Sequence, residues 1–498
     1  MNHHMTIHIP LSAQGIRLST HLAEAGYPIT ADCGGRGKCG KCAVTVVSGS
    51  FSSTPDGKVP AIPDDSGKLL SCRVFCNGEA VILLPVSKGS GLTAPTERPS
   101  AAVPYEACGV ALDIGTTTLA AALVHRTDGS ILRTTSRLNP QKSFGADVMS
   151  RIQAVMENEA HLLTMQKLLL EDVRAMLEVL TDGHTVSHMT VAGNPTMLHL
   201  FCGISPVGMG TYPFTPVFTD TKVLSGKDLG LPADQIILLP SVSAFIGGDL
   251  TAGMIACDIT NHAAPVLLVD MGTNGEMILY TGKDHGDKLY GTSTAAGPAL
   301  EGAGISTGTG GVSGAVSSVV WNGVSLQYET VDHAPPIGIC GSGLIDLVSL
   351  LLLRGIMDET GYLEEDPFPY AEKLTLTGED IRAFQLAKSA LRAGMEVLCE
   401  TAGISPQDLS ALYIAGGLGQ YMRMDSAMQV GLLPDCPKQI LQGVGNTALR
   451  GAAMALRDPA WVERITADAR RCETVALNLS PSFSDKFMEY MLFPEVET

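Results

Sequence analysis

The chain has 498 residues, 45% of them hydrophobic, and its 51 Asp and Glu against 33 Lys and Arg give a formal net charge of −18. This length predicts several domains, each able to bury a core without disulfide bonds. The electrostatic field of a negatively charged protein repels nucleic acids and anionic membranes, so we expect neither as a partner.

Targeting and membrane signals are missing from the sequence. Its first residues lack a basic segment followed by an apolar run, and its longest apolar run, residues 344–353, is short and contains Asp346. We therefore expect a cytoplasmic protein. In that compartment its twelve cysteines are expected to be thiols or metal ligands rather than disulfides.

The first 88 residues predict a small α+β unit with a net charge of about +2. Alternating apolar residues predict a strand at 6–11, which we expect to form a hairpin with a second short run that ends at Leu18. A helix is expected to begin at Ser19 or Thr20. Residues 43–49 and 80–85 predict two further strands.

Four cysteines in this unit have the spacing of metal ligands. Three form a C-x5-C-x2-C pattern and one follows after 29 residues: Cys33, Cys39, Cys42 and Cys72. Soft thiolates suit either Zn²⁺ or an iron–sulfur cluster. The glycines between them let the backbone wrap around a cluster and direct N–H groups to its sulfurs, which favours iron. A Zn²⁺ site or free thiols are the alternative, and Cys76 lies beyond the pattern.

Residues 87–107 have Gly, Ser or Pro at 8 of 21 positions and no apolar period, which predicts a flexible linker at 89–107. The linker separates the domain at 1–88 from a remainder of about −20 net charge. Three strands are predicted at 109–138, then helical residues 146–180 with a break near Glu159, then a strand at 187–193. Met149 and Met156, at a helical spacing, are expected to be buried.

The same order of elements returns from residue 264, with a helix expected at 379–401 and a strand at 409–417. Asp113 and Asp270, 157 residues apart, each end an apolar strand and are each followed by a Gly-Thr pair. This internal repeat predicts two α/β lobes, at 108–259 and 260–498.

Small residues after three strands predict a nucleotide site. A carboxylate at a strand end orders Mg²⁺, and Gly and Thr let phosphate approach N–H and hydroxyl donors. The candidates are Asp113, Gly115, Thr116 and Thr117 in the first turn, Asp270, Gly272, Thr273 and Asn274 in the second, and Gly416, Gly417 and Gly419 in the third, where adenosine is expected. Glu276, Asn194 and the Gly-rich residues 302–314 are possible additions without a fixed role.

Both halves of the chain resemble known families. The motifs CGGRGKCGKC and LLSCR resemble plant- and adrenodoxin-type ferredoxins. This resemblance implies a β-grasp domain whose four cysteines hold a [2Fe–2S] cluster. The three turns, in their order, resemble the phosphate-1, phosphate-2 and adenosine motifs of acetate and sugar kinases, hsp70-type chaperones and actin. That resemblance implies a two-lobe, ribonuclease-H-like ATPase in which Asp113 and Asp270 are catalytic, positioning Mg²⁺ and the attacking water. Residues 191–197 and 445–456 look like its connecting helices.

Almost the whole chain, including NPQKSFGADVMSRI at 139–152, resembles the reductive activators of corrinoid proteins. The resemblance implies ATP-dependent reduction of Co(II) to Co(I) in the corrinoid protein of a methyltransferase system. It also implies a homodimer and a reduced electron donor of the ferredoxin or flavodoxin type. The cobalt-ligating pattern D-x-H-x-x-G is absent from the sequence, so the corrinoid is expected on the partner.

Three other functions compete with this interpretation. A small-molecule kinase with a redox-sensing ferredoxin domain needs only the two lobes, although the sequence has no obvious sugar or carboxylate signature. Radical dehydratase activators share the ATPase fold but lack an N-terminal ferredoxin. A chaperone-like ATPase without catalysis of its own is the least supported.

Overall fold

The structure is a computed structural model that describes residues 4–25, 42–85 and 104–495. Cys33, Cys39 and most of the predicted linker lie outside the described residues. No helix in the described ranges is long and apolar enough to cross a membrane.

In residues 4–25 and 42–85, the N-terminal unit contains one helix and seven short strands. In chain order these are β1 His4–Ile9, α1 Leu18–Glu24, β2 Ala43–Ser48, β3 Phe51–Ser52, β4 Pro60–Ala61, β5 Lys68–Leu70, β6 Phe75–Cys76 and β7 Ala80–Pro85. Its main sheet has the order β1-β7-β2-β5. The strands predicted at 43–49 and 80–85 are thereby confirmed.

The hairpin expected before Leu18 is wrong. β1 pairs with β7 instead, with Ile7 opposite Ile82, and both side chains are buried. Pro10 follows β1 and has no N–H to extend a ladder, and a 3₁₀ turn, Leu11–Ala13, takes the place of the second strand. Burial against β7 therefore outweighed pairing with the nearest segment.

The first lobe begins with three antiparallel strands. Its elements are β8 Cys108–Ile114, β9 Thr118–His125, β10 Ile131–Leu138, α2 Val148–Glu157, α3 Ala160–Thr181, β11 Val186–Gly193, α4 Pro195–Cys202, β12 Lys222–Ser225, β13 Ala233–Leu238 and α5 Gly248–Ala256. The sheet order is β10-β9-β8-β11-β13-β12, with β8, β11 and β13 parallel.

The second lobe repeats this plan and adds further elements. They are β14 Val266–Met271, β15 Gly275–Tyr280, β16 Leu289–Thr294, β17 Ala315–Trp321, β18 Leu326–Thr330, β19 Gly338–Ile339, α6 Gly341–Leu353, β20 Phe368–Ala371, β21 Leu374–Leu376, α7 Gly378–Ala402, β22 Ala411–Ala415, α8 Gly416–Tyr421, α9 Met424–Gln429, β23 Leu441–Gly445, α10 Thr447–Arg457, α11 Ala460–Arg471, β24 Glu473–Thr474 and α12 Pro481–Glu489. Its main sheet has the order β23-β22-β14-β15-β16-β24.

Five strands of each sheet are equivalent, which confirms the repeat read from the sequence, and the sixth strands, β12 and β24, lie at opposite edges. β8, β9 and β10 correspond to β14, β15 and β16, and the parallel strands β11 and β13 correspond to β22 and β23. β8 and β14 are each flanked by strands on both sides and lose contact with water on both faces. Val266 to Val269 of β14, for example, are fully buried, as expected of a central strand covered by helices.

Helices α5 and α10 cross in close contact. A Cβ atom on Gly451 of α10 would lie 1.9 Å from the Ala252 carbonyl oxygen of α5, so only glycine fits at this crossing. The expectation for residues 445–456 is thus met by α10, but residues 191–197 form the end of β11 and the start of α4. The helix that contacts α10 is α5. Its small residues at 252 and 253 were not singled out in the sequence as part of a connecting helix.

Met149 and Met156 lie on the exposed face of α2, not in the core, so this expectation is wrong. Their exposed fractions are 45% and 52%, whereas Arg151, Ile152 and Val155 of the same helix are buried. A spacing of seven residues places two side chains on one helix face, but it does not say which face is covered.

Candidate functional site

The two aspartates of the repeat meet in one cleft between the sheets. Asp113 lies near the end of β8 and Asp270 near the end of β14, the equivalent central strands. They are close enough for the charge of Asp270 to raise the pKa of Asp113. The side-chain Nδ2 of Asn446 donates to Asp113 Oδ2 over 2.8 Å.

Two helix caps position the first turn. Asn194 caps α4 by accepting from the Met197 N–H, and its Nδ2 donates to Thr116 Oγ1 over 2.9 Å. Asn446 caps α10 in the same way while it holds Asp113. Each asparagine satisfies a helix end with its oxygen and holds a site residue with its nitrogen. Asn194, a possible addition in the sequence analysis, therefore belongs to the site, whereas Asn446 was not foreseen.

The first turn presents free backbone donors. The Gly115 N–H donates to the Thr118 carbonyl, whereas in the part of the chain that the structure describes the N–H groups of Thr116 and Thr117 donate to no protein acceptor. The second turn is similar, because Gly272 donates to the Asn274 carbonyl and the Thr273 hydroxyl donates to Glu301. Unsatisfied N–H groups beside small residues fit a phosphate group.

Three further carboxyl groups lie in this cleft. Glu276 of β15 is directly opposite Asp270 in the antiparallel register and is buried. Asp249 stands in the first turn of α5. Glu301 contacts the second turn through Thr273. Glu276 was foreseen from the sequence as a possible addition to the site, whereas Asp249 and Glu301 were not. The Gly-Gly-Asp triplet that opens α5 was the available signal for Asp249.

The pKa values of the carboxyl groups in this cleft are raised. Burial, more than charge, raises the pKa values of Asp113, Asp249 and Asp270 to about 7. Repulsion adds to it, from Asp113 at Asp249 and from Asp249 and Glu301 at Asp270. Burial also raises the pKa values of Glu276 and Glu301. A divalent cation bound here would relieve the repulsion between these carboxylates, although no three of them in the described residues are arranged as ligands of one metal ion.

We expect this cluster to make the metal-free, nucleotide-free protein less stable as the pH rises from about 5 to 8. The folded state keeps protons on Asp113, Asp249 and Asp270 that the unfolded chain loses near pH 4, so the stabilisation is full at low pH and is lost as the pH passes 7. The thermal midpoint of an Asp249→Asn variant should fall less over this range than that of the wild type. Parallel pH profiles of the two proteins would contradict the raised pKa values.

The third glycine motif lies beside the second aspartate. Gly416 has φ +88°, and a Cβ atom there would lie 3.1 Å from Asp270 Oδ1. Gly417 faces open space, which leaves room for a ligand against the backbone. A Cβ on Gly419 would lie 2.4 Å from the Ile414 carbonyl oxygen, so this glycine serves the packing of α8 on β22. Of the three glycines, therefore, Gly416 lies against a cleft residue, Gly417 leaves open space and Gly419 serves packing.

In the N-terminal unit, two of the four candidate ligands are described and lie together. The Sγ atoms of Cys42 and Cys72 are hydrogen-bonded at 3.2 Å, and both side chains are buried. Hydrogen bonding with Cys72 lowers the pKa of Cys42 to about 6, so the thiolate that iron requires forms readily. Burial raises the pKa of Cys76 to about 11, in keeping with an inert thiol. The two thiols fit a metal cluster.

Three protein families match successive parts of the chain. Residues 6–77 match a 2Fe-2S iron-sulfur cluster binding domain. Residues 108–262 match the RACo middle region, and residues 264–498 match the C-terminal domain of RACo, the ASKHA domain. These matches confirm the predicted fold class of a ferredoxin domain followed by an actin-, hsp70- and sugar-kinase-type ATPase.

Named relatives share most of this length. The chain is 31% identical over 424 residues to "Corrinoid activation enzyme RamQ" of Eubacterium limosum, covering 77% of this chain and 70% of that protein. It is 26% identical to "[Co(II) methylated amine-specific corrinoid protein] reductase" of Methanosarcina barkeri, covering 77% and 76%. A solved structure, "Reductive activator for corrinoid,iron-sulfur protein", is 26% identical, with a TM-score of 0.72 over 98% of this chain and 97% of that chain. The chain therefore belongs to the family of corrinoid activation enzymes that join a [2Fe–2S] domain to an ASKHA ATPase domain.

Proposed function

We propose that this protein reduces the Co(II) corrinoid of a partner protein to Co(I) in an ATP-dependent reaction that reactivates a methyltransferase system. The observation that carries the proposal is the presence, in one chain, of a buried pair of adjacent thiols and a carboxylate cleft with free backbone N–H donors. A thiol-bound cluster moves electrons and a nucleotide cleft supplies energy, and activation of Co(II) needs both.

Cys33, Cys39, Cys42 and Cys72 would hold a [2Fe–2S] cluster, which supplies one-electron chemistry when bound. The low pKa of Cys42 keeps this ligand deprotonated at neutral pH. The burial of Cys42 and Cys72 shields that side of the cluster site from water.

In the cleft, Asp113 and Asp270 would hold Mg²⁺ and orient the attacking water. Asn446 donates to Asp113, so one oxygen of this carboxylate is fixed as an acceptor. Asp270 accepts no hydrogen bond from the described part of the chain, so its oxygens are available to water or metal. With a pKa of about 7, Asp270 is suited to accept a proton near neutral pH. The free N–H groups of Thr116 and Thr117 would bind phosphate oxygens.

ATP is needed because the acceptor is harder to reduce than the donor. For a single electron, a difference of about 30 mV in reduction potential corresponds to about 0.7 kcal/mol. The free energy of ATP hydrolysis can therefore offset a difference of several tenths of a volt. We propose that the reduced donor is of the ferredoxin or flavodoxin type and that the enzyme works as a homodimer. Residues 89–107 would tether the domain at 1–88 to lobes at 108–259 and 260–498.

The test is to mix the anaerobically reduced protein with an isolated Co(II) corrinoid protein from the same methyltransferase system and to follow the absorbance of Co(I). We expect Co(I) to form with Mg-ATP and not without it. A matched reaction with ADP should remain Co(II). Failure to form Co(I) with any co-encoded corrinoid protein, or formation at the same rate without ATP, would overturn the proposal.

A further inference from the structure

Residues 139–152, which are part of the family resemblance, lie directly behind the first turn. None of them has been given a role in the proposed reaction. They contain a 3₁₀ turn, Pro140–Ser143, and the first half of α2. Among them, Arg151 is fully buried. In the described part of the chain no carboxylate lies within ion-pair distance of Arg151, although Asp147, the cap of α2, is near enough for its charge to raise the pKa of Arg151. The guanidinium donates to neutral acceptors.

All three carbonyl groups of the first turn are held from this side. Asn139 Nδ2 donates to the Gly115 oxygen over 2.8 Å, and the Asn139 N–H donates to the Thr117 oxygen over 2.9 Å. Between them, Arg151 Nη2 donates to the Thr116 oxygen over 2.5 Å. Arg151 is itself fixed by the Gly145 carbonyl and the Gln141 side chain, at 3.1 and 3.3 Å.

In a trans peptide the C=O and the following N–H point in opposite directions. Binding the Gly115 oxygen behind the turn therefore directs the Thr116 N–H forward, and binding the Thr116 oxygen directs the Thr117 N–H forward. These are the two donors that find no protein acceptor in the described residues. Their orientation is set by Asn139 and Arg151, not by the turn alone.

We propose that Arg151 is a positioning residue for the phosphate groups of the nucleotide. It orients the Thr116–Thr117 peptide and places a positive charge behind a turn that receives an anion. The inference rests on the proposed nucleotide site. This role accounts for a buried guanidinium that has no carboxylate within ion-pair distance and is therefore costly to desolvate. Burial lowers the pKa of Arg151 to about 9, so the group remains charged at neutral pH.

The test measures the affinities of the full-length protein for ATP, ADP and adenosine. Arg151→Gln should weaken ATP binding by at least on the order of ten-fold, ADP binding less, and adenosine binding hardly at all, because charge and N–H orientation act on phosphates. Arg151→Lys, which keeps the charge, should recover part of the ATP affinity. As a control, Arg174→Gln removes an exposed arginine that also donates to a carbonyl, that of Gly230, and should change none of the three affinities.

Thermal unfolding and the cluster absorbance of each variant show whether it is folded. If Arg151→Gln does not fold, Arg151→Lys and Asn139→Ser take its place, and each should lose more affinity for ATP than for adenosine. Equal losses for ATP and adenosine, or an unchanged ATP affinity in the folded variants, would overturn the inference. A wild-type protein that binds no ATP would instead refute the proposed function.

Discussion

Replacing Asp270 with Asn is expected to slow ATP hydrolysis by roughly 10²- to 10⁴-fold, the range for removal of a general base. Asp270 is a carboxylate at the end of β14 that faces the cleft without a hydrogen bond from the described chain. Its pKa near 7 suits a group that takes a proton from water. Asn keeps the size but neither accepts a proton at this pH nor carries the charge that Mg²⁺ requires. Steady-state phosphate release measures the effect.

The variant should keep its cluster absorbance, because the four proposed cysteine ligands are in the other domain. Asp485→Asn is the matched control, since Asp485 is an exposed carboxylate of α12 far along the chain from either turn. It should hydrolyse ATP at the wild-type rate. If Asp270→Asn also does so, Asp249 is the next candidate for the base, because it lies in the same cleft with a similar pKa.

Replacing Cys42 or Cys72 with Ala is expected to abolish the visible absorbance of the cluster and the formation of Co(I). The two Sγ atoms lie 3.2 Å apart, and hydrogen bonding between them lowers the pKa of Cys42, as expected for ligands of one site. ATP hydrolysis should persist in both variants, because the cleft is formed by other domains. Iron content, the visible spectrum and phosphate release of anaerobically purified protein measure the three effects.

Cys76→Ala is the control for this prediction. Cys76 is buried and lies four residues beyond Cys72, and burial raises the pKa of its thiol to about 11. The variant should retain its cluster and its Co(I) formation. If the Cys76 variant loses the cluster while the Cys72 variant retains it, Cys76 rather than Cys72 is the fourth ligand. A colourless wild-type protein that holds one Zn²⁺ would show that the cysteines bind zinc and not an iron–sulfur cluster.

Elements with a strong local pattern were predictable. The break between α2 and α3 was expected near Glu159 and occurs there, because Asn158 is extended after α2 and its side-chain oxygen accepts from the Ala160 N–H that begins α3. The order of strands and helices along each copy of the repeat was predicted correctly, because each copy carries the same series of local patterns. The hairpin before Leu18 and the burial of Met149 and Met156 were wrong, because each depends on which distant surface covers a segment.

The spacing of the four candidate cysteine ligands and the two strand-Asp-x-Gly-Thr turns could be read from the chain, since each is a pattern of residue types at fixed positions. Which other groups share the cleft became clear from the folded arrangement alone. Asp249, Glu301 and Asn446 come from separate elements, and Arg151 reaches the first turn from the helix behind it. Their roles arise where two equivalent sheets bring strand ends and helix caps together, and no local pattern in the chain records that proximity.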